Sequence, residues 1–357
     1  MSSRLFTPLT IKNITFKNRV VVSPMCQYSS EDGFANDWHL VHLGSRAVGG
    51  AALLIAEATA VSPEARISPE DLGIWKDEHI EKLKQITSFI TAQGAVPGIQ
   101  LGHAGRKAST YPAWKGRGQV PVSEGGWQPL SASDIPFHEK ELAPLALDMA
   151  GIQKVISDFS DAAQRALEAG YKVIEIHAAH GYLIHQFMSP LSNVRTDEYG
   201  GSFENRVRLL IQVVDAIQKV WPADLPLLVR ISATDWAENG WDEDQSVELV
   251  KILKAKGVDL IDVSSGGLAA HQKITVGPSY QVPFSAKIKK ETGSLTGAVG
   301  MITEAKQAEG ILQNDEADLV IMARELLRDP YFPLHAAHEL GDDISWPIQY
   351  DRAKPSH

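Results

Sequence analysis

Cysteine is nearly absent from this chain of 357 residues, in which Cys26 is the single example. One cysteine cannot form an intrachain disulfide, which favours a reducing compartment, and it excludes a metal cluster with several cysteine ligands. The first residues, MSSRLFTPLT, lack the basic region and apolar stretch of a signal peptide, and no apolar run approaches the roughly 20 residues that span a bilayer. We therefore expect a cytoplasmic protein without a membrane segment.

Positive charge is also in short supply. The 44 acidic residues outnumber the 34 basic residues, so the formal net charge is -10. Nucleic acids and anionic membrane surfaces attract proteins through a basic field, and neither is expected as a partner. A hydrophobic content of 44% is that of an ordinary globular protein. Its partners should be small molecules or further copies of the chain.

What the chain does contain is a regular alternation of apolar, β-rich segments with helical patterns. Eight such segments can be counted, at residues 20–25, 52–56, 96–101, 173–176, 227–231, 260–263, 296–299 and 319–322. Strict alternation implies parallel strands joined by crossover helices, and no G-x-G-x-x-G follows an early strand, which disfavours a doubly wound dinucleotide-binding sheet. The pattern predicts a (β/α)8 TIM barrel made by one domain, residues 1–357, whose last helix runs unbroken from residue 325 to 340.

Two segments fall outside this alternation. Residues 9–19 alternate apolar and polar side chains around Lys12 and Asn13, which predicts a β-hairpin that covers the bottom of the barrel. A long insertion after the third strand, residues 108–148, is rich in Pro, Gly, Ser and Trp, and insertions of this kind often form active-site walls. A disordered surface loop is the alternative, although Trp114 and Trp127 favour at least partial packing.

The fourth strand ends in polar residues, at the end of a barrel that normally carries the chemistry. His177 and His180 are three residues apart, so a helical turn after the strand would project both to one side, where two N–H donors could bind one oxygen atom. A zinc site would use the same spacing, and His103 as a further ligand would give a metal-dependent hydrolase. A purely structural role for the histidines is a third possibility, and packing is an equal alternative for Tyr182.

The seventh and eighth units predict an anion site. Gly300 precedes a helical pattern at residues 303–314, and Ala323 and Arg324 open the last helix. Loops after these two strands commonly bind phosphate in barrels, because helix N-terminal amides meet the anion there. Arg230, from the fifth strand, would supply a second cation. Taken alone, Arg324 could equally pair with a neighbouring acid.

Eight blocks of sequence, in the same order, resemble the old yellow enzymes, a family of FMN-dependent ene-reductases, and within it the thermophilic-like bacterial branch. They are SPMCQYSS, EATAVSPEARIS, GIQLGHAGRKAS, HAAHGYLIHQFMSPLSNVRTDEYGGSFENR, VRISATDW, DVSSGG, GAVGMITEA and ARELLRDP, and together they cover nearly the whole chain. The resemblance implies one non-covalent FMN on the C-terminal face of the barrel, with NADPH or NADH as reductant.

The same resemblance assigns residues to the cofactor. It implies that Ser23, Pro24, Met25 and Cys26 line the flavin, that Ala58 and Gln100 contact its ring, and that Gly300, Ala323 and Arg324 belong to its phosphate end. Arg230 would lie near N1, where a cation stabilises the anionic reduced flavin. Two departures stand out. The insertion at 108–148 is longer than in the shortest members of the family, and Ala323 stands where glycine is commoner.

Substrate roles follow in the same way. His177 and His180 resemble the pair that binds the carbonyl oxygen of an α,β-unsaturated substrate, and Tyr182 resembles the tyrosine that protonates the α-carbon. Cys26 resembles the cysteine that tunes the flavin potential and borders the substrate, and Tyr28 resembles a further substrate contact. Arg352 resembles an arginine that reaches into a neighbouring subunit's site, which implies a homodimer or homotetramer.

Overall fold

The computed structural model describes residues 3–355 and contains a closed barrel of eight parallel strands. The barrel strands, in their order around the barrel, are β3 (Val20–Val22), β4 (Leu53–Ala60), β5 (Val96–Gly102), β8 (Val173–Ala178), β9 (Leu227–Ser232), β10 (Leu260–Ser264), β11 (Leu295–Ala298) and β12 (Leu319–Met322), and β12 pairs with β3. The TIM-barrel prediction is confirmed. That residues 1–357 form one domain stays a prediction, and residues 1, 2, 356 and 357 lie outside the described part.

Helices alternate with these strands. They are α1 (Asp37–Val48), α2 (Ile80–Ala92), α3 (Met149–Glu168), α4 (Leu183–Met188), α5 (Phe203–Gln218), α6 (Glu243–Ala255), α7 (Val282–Thr292), α8 (Ala305–Gln313), α9 (Arg324–Arg328) and α10 (Phe332–Leu340). The longest, α3, begins where the Asp148 side chain accepts the Gly151 N–H at 2.7 Å, and it turns Ile152, Val155 and Phe159 inward at helical spacing. Within residues 3–355, no helix is long and apolar enough to cross a bilayer.

The last helix departs from its prediction. An unbroken helix at residues 325–340 is wrong, because α9 ends at Arg328 and α10 begins at Phe332. Pro330 lacks an N–H and disfavours helical geometry in the residue before it, and Asp329 accordingly adopts φ -129°, ψ 91°. The short α4, directly after the histidine strand, was not predicted.

The hairpin closes the bottom of the barrel as predicted. Strands β1 (Leu9–Ile11) and β2 (Ile14–Phe16) pair antiparallel. Ile11 and Phe16 are buried in an apolar cluster with residues from six of the barrel strands and from the segments that flank them, among them Leu53, Val173 and Leu228. In the turn, Lys12 Nζ lies 2.8 Å from Asp259 Oδ2, one residue before β10 begins. These contacts hold the hairpin against the N-terminal ends of the strands.

The insertion at residues 108–148 is folded against the opposite end. It contains two short parallel strands, β6 (Leu130–Ser131) and β7 (Leu145–Ala146). Arg106 connects the insertion to the rim, by which we mean the C-terminal ends of the barrel strands and the loops that follow them. Its guanidinium donates to the Ile135 carbonyl at 3.1 Å and to the Leu268 carbonyl at 2.7 Å. The Trp127 indole N–H donates to the Glu64 carbonyl at 3.0 Å. Trp114 is 66% exposed, and its ring packs edge-on against Tyr28 at 5.6 Å.

Candidate active site

The two histidines at the end of β8 converge, but not through a helical turn. His177 is the penultimate residue of the strand, whereas His180 has a left-handed φ of 59° and Gly181 follows at 73°. A Cβ on Gly181 would lie 2.2 Å from the Gly267 carbonyl oxygen, so only glycine fits at this position. The two imidazole rings meet edge to face with centroids 5.2 Å apart. The two rings thus lie together without the helical turn that the sequence analysis considered, since α4 begins only at Leu183.

A buried network holds this turn in place. The Gly181 N–H donates to His185 Nδ1 at 3.0 Å, and His185 Nε2 lies 2.8 Å from Asp235 Oδ1, with both side chains fully buried. Burial would raise the pKa of Asp235, but the neighbouring His185 and further hydrogen bonds outweigh it and lower that pKa. Lys107 Nζ donates to the His180 carbonyl at 2.8 Å. The sequence interpretation missed these supports, because the contacts of His185 with Asp235 and of Lys107 with His180 join residues far apart in the chain.

Hydrogen bonds constrain which nitrogen carries the proton in each ring. His177 Nδ1 accepts the Ala179 N–H at 3.3 Å, which leaves the proton on Nε2. His180 Nε2 lies 2.7 Å from Ser264 Oγ, whose single proton can go to His180 or to Gln281 Oε1 at 3.3 Å, and only a hydroxyl that donates to His180 leaves the imidazole proton on Nδ1. Burial, followed by the charge of Arg230, lowers the pKa of both histidines well below the ordinary value. Both rings are therefore neutral at neutral pH, and each retains one N–H.

Tyr182 lies beside this pair. Its ring packs edge-on against His177 with centroids 4.9 Å apart, and Lys107 Nζ is 5.0 Å from the ring centroid. Burial is the largest cause that raises the pKa of Tyr182 well above its ordinary value, and nearby Cys26 and Tyr28 add to it. The phenol therefore keeps its proton and can donate it.

The segment after β3 forms the opposite wall. Burial raises the pKa of the Cys26 thiol well above its ordinary value, and the neighbouring Ala58 backbone and Tyr28 side chain partly oppose the rise. Cys26, Ala58 and Tyr182 pack around one small apolar cluster. The structure thus brings together four of the predicted site residues, which come from three separate strand ends.

Below the rim, the barrel interior contains buried charge. Gln100 Nε2 donates to Glu175 Oε1 at 2.7 Å. Arg230 Nε lies 3.1 Å from Asp262 Oδ2, and Arg230 Nη1 donates to Ser23 Oγ at 3.3 Å. Neither acid was predicted as part of the site, although a carboxyl inside an otherwise apolar strand, as in VIEIHA and LIDVS, is a usable signal.

The residues predicted for the phosphate end line a cavity of about 230 Å³. Its lining includes Ser23, Arg230, Ser264, Tyr280, Gln281, Gly300, Met301, Ile302, Thr303, Ala323 and Arg324. Gly300 has φ 116°, and a Cβ there would lie 3.1 Å from the Gln281 nitrogen. In the described part of the chain Arg324 has no ion pair, so the alternative that pairs it with a neighbouring acid finds no support. The chemistry of Arg324 and of the glycine-lined turn suits the phosphate of FMN, whereas Arg230 lines the same cavity but is paired with Asp262.

The zinc alternative is not supported. His103 is buried with Nδ1 accepting the Gly105 N–H at 3.0 Å, and burial lowers its pKa to about 4. Among residues 3–355, no group of three or more His, Cys, Asp or Glu side chains is placed to hold a metal ion.

Arg352 lies apart from these residues. It belongs to an exposed 3-10 turn, Ile348–Ala353, whose Tyr350 packs against Tyr331 with ring centroids 6.1 Å apart. It does not line the phosphate-end cavity of its own chain. Its place in a neighbouring subunit's site stays a prediction.

Known proteins share this sequence and fold. The sequence pattern of the NADH:flavin oxidoreductase / NADH oxidase family matches residues 4–343. The NADPH dehydrogenase of Geobacillus sp. (strain WCH70) is 51% identical over 354 residues, 99% of each chain, and that of Bacillus subtilis (strain 168) is 49% identical over 354 residues, again 99% of each. Among solved structures, morphinone reductase matches with a TM-score of 0.79 at 28% identity, covering 97% of this chain and 92% of that one.

Proposed function

This chain belongs to the NADH:flavin oxidoreductase / NADH oxidase family, the old yellow enzymes, and we propose that it reduces the activated C=C bond of α,β-unsaturated carbonyl compounds. As a member it is an FMN-dependent oxidoreductase with NADPH or NADH as reductant. The proposal concerns the second substrate, an enone or a nitroalkene, and the residues that act on it.

One observation carries the proposal. Two neutral histidines, His177 and His180, each keep one N–H, and their rings lie against each other at the rim with centroids 5.2 Å apart. Two such donors fit the oxygen of a carbonyl or nitro group and polarise it. Polarisation makes the β-carbon of a conjugated alkene electron-poor, and FMN, when bound, supplies the hydride that this carbon accepts.

Tyr182 supplies the proton in this proposal. Its phenol stays protonated because burial raises its pKa, and it packs directly against His177, so it can reach the substrate that the histidines hold. Cys26 and Tyr28 border the same space from the facing wall. The residues proposed to hold FMN are Ser23, Pro24, Met25, Cys26, Ala58, Gln100, Arg230, Gly300, Ala323 and Arg324.

We also propose a homodimer or homotetramer in which Arg352 completes a neighbouring site. Its exposed position outside its own site supports this. Sedimentation analysis should give a dimer or tetramer, and Arg352→Ala should weaken substrate binding without releasing FMN. A monomeric holoenzyme would contradict the proposal.

An anaerobic absorbance titration tests the reaction. The purified yellow protein should bleach on addition of NADPH or NADH, and cyclohexenone should then restore the colour as the alkene is reduced. A protein that bleaches but recovers its colour only with oxygen would retain the flavin oxidoreductase activity of the family and would contradict the ene-reductase proposal.

A further inference from the structure

Four polar side chains lie side by side inside the barrel, beneath the rim. Gln100 is the register partner of Glu175 between β5 and β8, and Arg230 is the register partner of Asp262 between β9 and β10. Their relative exposures are 1% for Gln100, 8% for Arg230 and 0% for both acids. Gln100 and Arg230 are proposed contacts of FMN, whereas Glu175 and Asp262 have no role in the proposed reaction.

The two acids are short of hydrogen-bond donors. Glu175 Oε1 accepts from Gln100 at 2.7 Å, and Asp262 Oδ2 lies 3.1 Å from Arg230 Nε. Apart from the contact between the two carboxyl groups themselves, Glu175 Oε2 and both Asp262 oxygens receive no hydrogen bond from a described residue. A second uncompensated carboxylate at full burial would be strongly unfavourable. A proton between the carboxyl groups removes this cost, since one acid then donates to the other.

The charges favour Glu175 as the group that keeps the proton. Burial, and next the neighbouring Asp262, raises the pKa of Glu175 well above its ordinary value, although Arg230 and the hydrogen bond from Gln100 oppose the rise. Burial also raises the pKa of Asp262, but Arg230, which pairs with it directly, and a hydrogen bond from Glu175 oppose that rise. The result is a chain of contacts in which Gln100 donates to Glu175, Glu175 donates to Asp262, and Asp262 balances Arg230.

We propose that Glu175 and Asp262 share one proton and act as positioning residues that set the reduction potential of FMN. This inference rests on the proposed FMN site. Reduced FMN carries more negative charge than oxidised FMN, so a cation beside it favours reduction. One carboxylate, Asp262, offsets the charge of Arg230, and the neutral Glu175 orients Gln100 without adding a second negative charge.

Three variants test whether Glu175 and Asp262 together carry one negative charge: Glu175→Gln, Asp262→Asn and the double variant. In either single variant the remaining acid can supply the one negative charge, so the midpoint potential should stay close to that of the wild type. The double variant removes that charge, and reduced FMN should then bind at least ~10-fold more tightly relative to oxidised FMN, a shift of about 30 mV for a two-electron couple. The potentials are measured by dye equilibration of the FMN-loaded protein.

Two outcomes overturn the inference. If each single variant shifts the potential by half of the double-variant shift, both acids are ionised and no proton is shared. If the double variant keeps the wild-type potential, the pair does not act on the cofactor. Should the double variant fail to hold FMN, a positive shift in Glu175→Gln alone would still contradict the shared proton.

Infrared spectroscopy reads the shared proton directly. A protonated-carboxyl C=O band should be present in the wild type and absent in Glu175→Gln, at a pH above 8 where Asp71, with a pKa raised by burial to about 7, is ionised. The band should persist in protein stripped of FMN. This separates the inference from the proposed function, because failure to reduce enones would leave the band unchanged, and absence of the band would overturn the shared proton alone.

Discussion

The two ends of the barrel are built from the same eight strands and differ in almost every physical respect. At the bottom, Ile11 and Phe16 of the hairpin seal an apolar cluster with the strand N-termini. At the top, neutral histidines and a protonated tyrosine lie within one rim. One end therefore contributes mainly to stability, and the other contains the residues of the proposed reaction.

Backbone geometry shows part of the same contrast. Helix-to-strand turns at the bottom place glycine in the left-handed region, as at Gly170 and Gly257, with Asp315 as an exception. The strand-to-helix turns at the top combine left-handed glycines with left-handed residues that carry a side chain, including Tyr28 and His180. A left-handed residue with a Cβ costs roughly 1–2 kcal/mol. The top end accepts this strain at Tyr28 and His180, two residues that are proposed to contact the substrate.

Tyr182→Phe should have the largest effect and should be confined to the chemistry. Without the phenol proton, alkene reduction should slow by about 10²–10⁴-fold, because a positioned general acid contributes roughly that much. Reduction of the flavin by NADPH needs no such proton and should change little. Stopped-flow measurement of the two half-reactions separates these effects. Equal loss in both would contradict the proton-donor role.

Phe16→Ala is the counterpart at the bottom and should affect stability alone. The side chain is fully buried, and removal of a buried phenylalanine costs about 3–5 kcal/mol of unfolding free energy. Urea unfolding measures the loss, with the exposed neighbouring Thr15→Ala as the matched control. The kcat of FMN-loaded protein at a temperature where it stays folded should be unchanged. A large fall in kcat would contradict the expectation that the bottom of the barrel affects stability alone.

The sequence predicted the bottom of the barrel better than the top. Apolar periodicity and turn residues located the hairpin and all eight strands, because local pattern and burial coincide there. The predicted ends of the strands near the site were less accurate. Strand β3 ends at Val22 instead of residue 25, and β4 extends to Ala60 past a register shift between Ala56 and Ala58.

At the top, residue types were predictable but their arrangement was not. The converging histidines followed from their spacing, while the left-handed turn that brings them together depends on Gly181 passing against the Gly267 backbone, 86 positions along the chain. The proposed pairing of Glu175 with Asp262 likewise depends on the register of β8 and β10 against β9. Contacts of this kind join distant strands, and no local pattern encodes them.

Asp71→Asn should make the stability of the top end less dependent on pH. Burial, followed by Glu57, raises the pKa of Asp71 to about 7, well above its value of ~3.9 in an unfolded chain. Between these values the folded state holds a proton that the unfolded state has lost, so the unfolding free energy of the wild type falls as pH rises from about 4 to 7. Asparagine cannot lose this proton, so the variant should gain up to ~4 kcal/mol relative to the wild type across that window.

Urea unfolding at several pH values tests this expectation, and Ser68→Ala is the control. Ser68 donates to Asp71 Oδ1 at 2.9 Å, so its loss perturbs the same contact without removing the titrating group. A constant difference between Asp71→Asn and the wild type from pH 4 to 8 would contradict the raised pKa.

Ser264→Ala should have the smallest effect and tests how the top end fixes a proton. We expect the Ser264 hydroxyl to donate to His180 Nε2 at 2.7 Å in preference to Gln281 Oε1 at 3.3 Å and so to hold the His180 proton on Nδ1, which means that its removal frees the ring to adopt the other tautomer. Phenol, which we propose binds to the same two N–H donors, should then bind about tenfold more weakly, a loss of ~1.4 kcal/mol. Ser265→Ala is the matched control, because that hydroxyl donates to Gln281 Oε1 at 2.6 Å. Nitrogen NMR of His180 should show the tautomer change in Ser264→Ala only, and equal weakening of phenol binding in both variants would mean that the loss reflects the shape of the cavity instead of the proton.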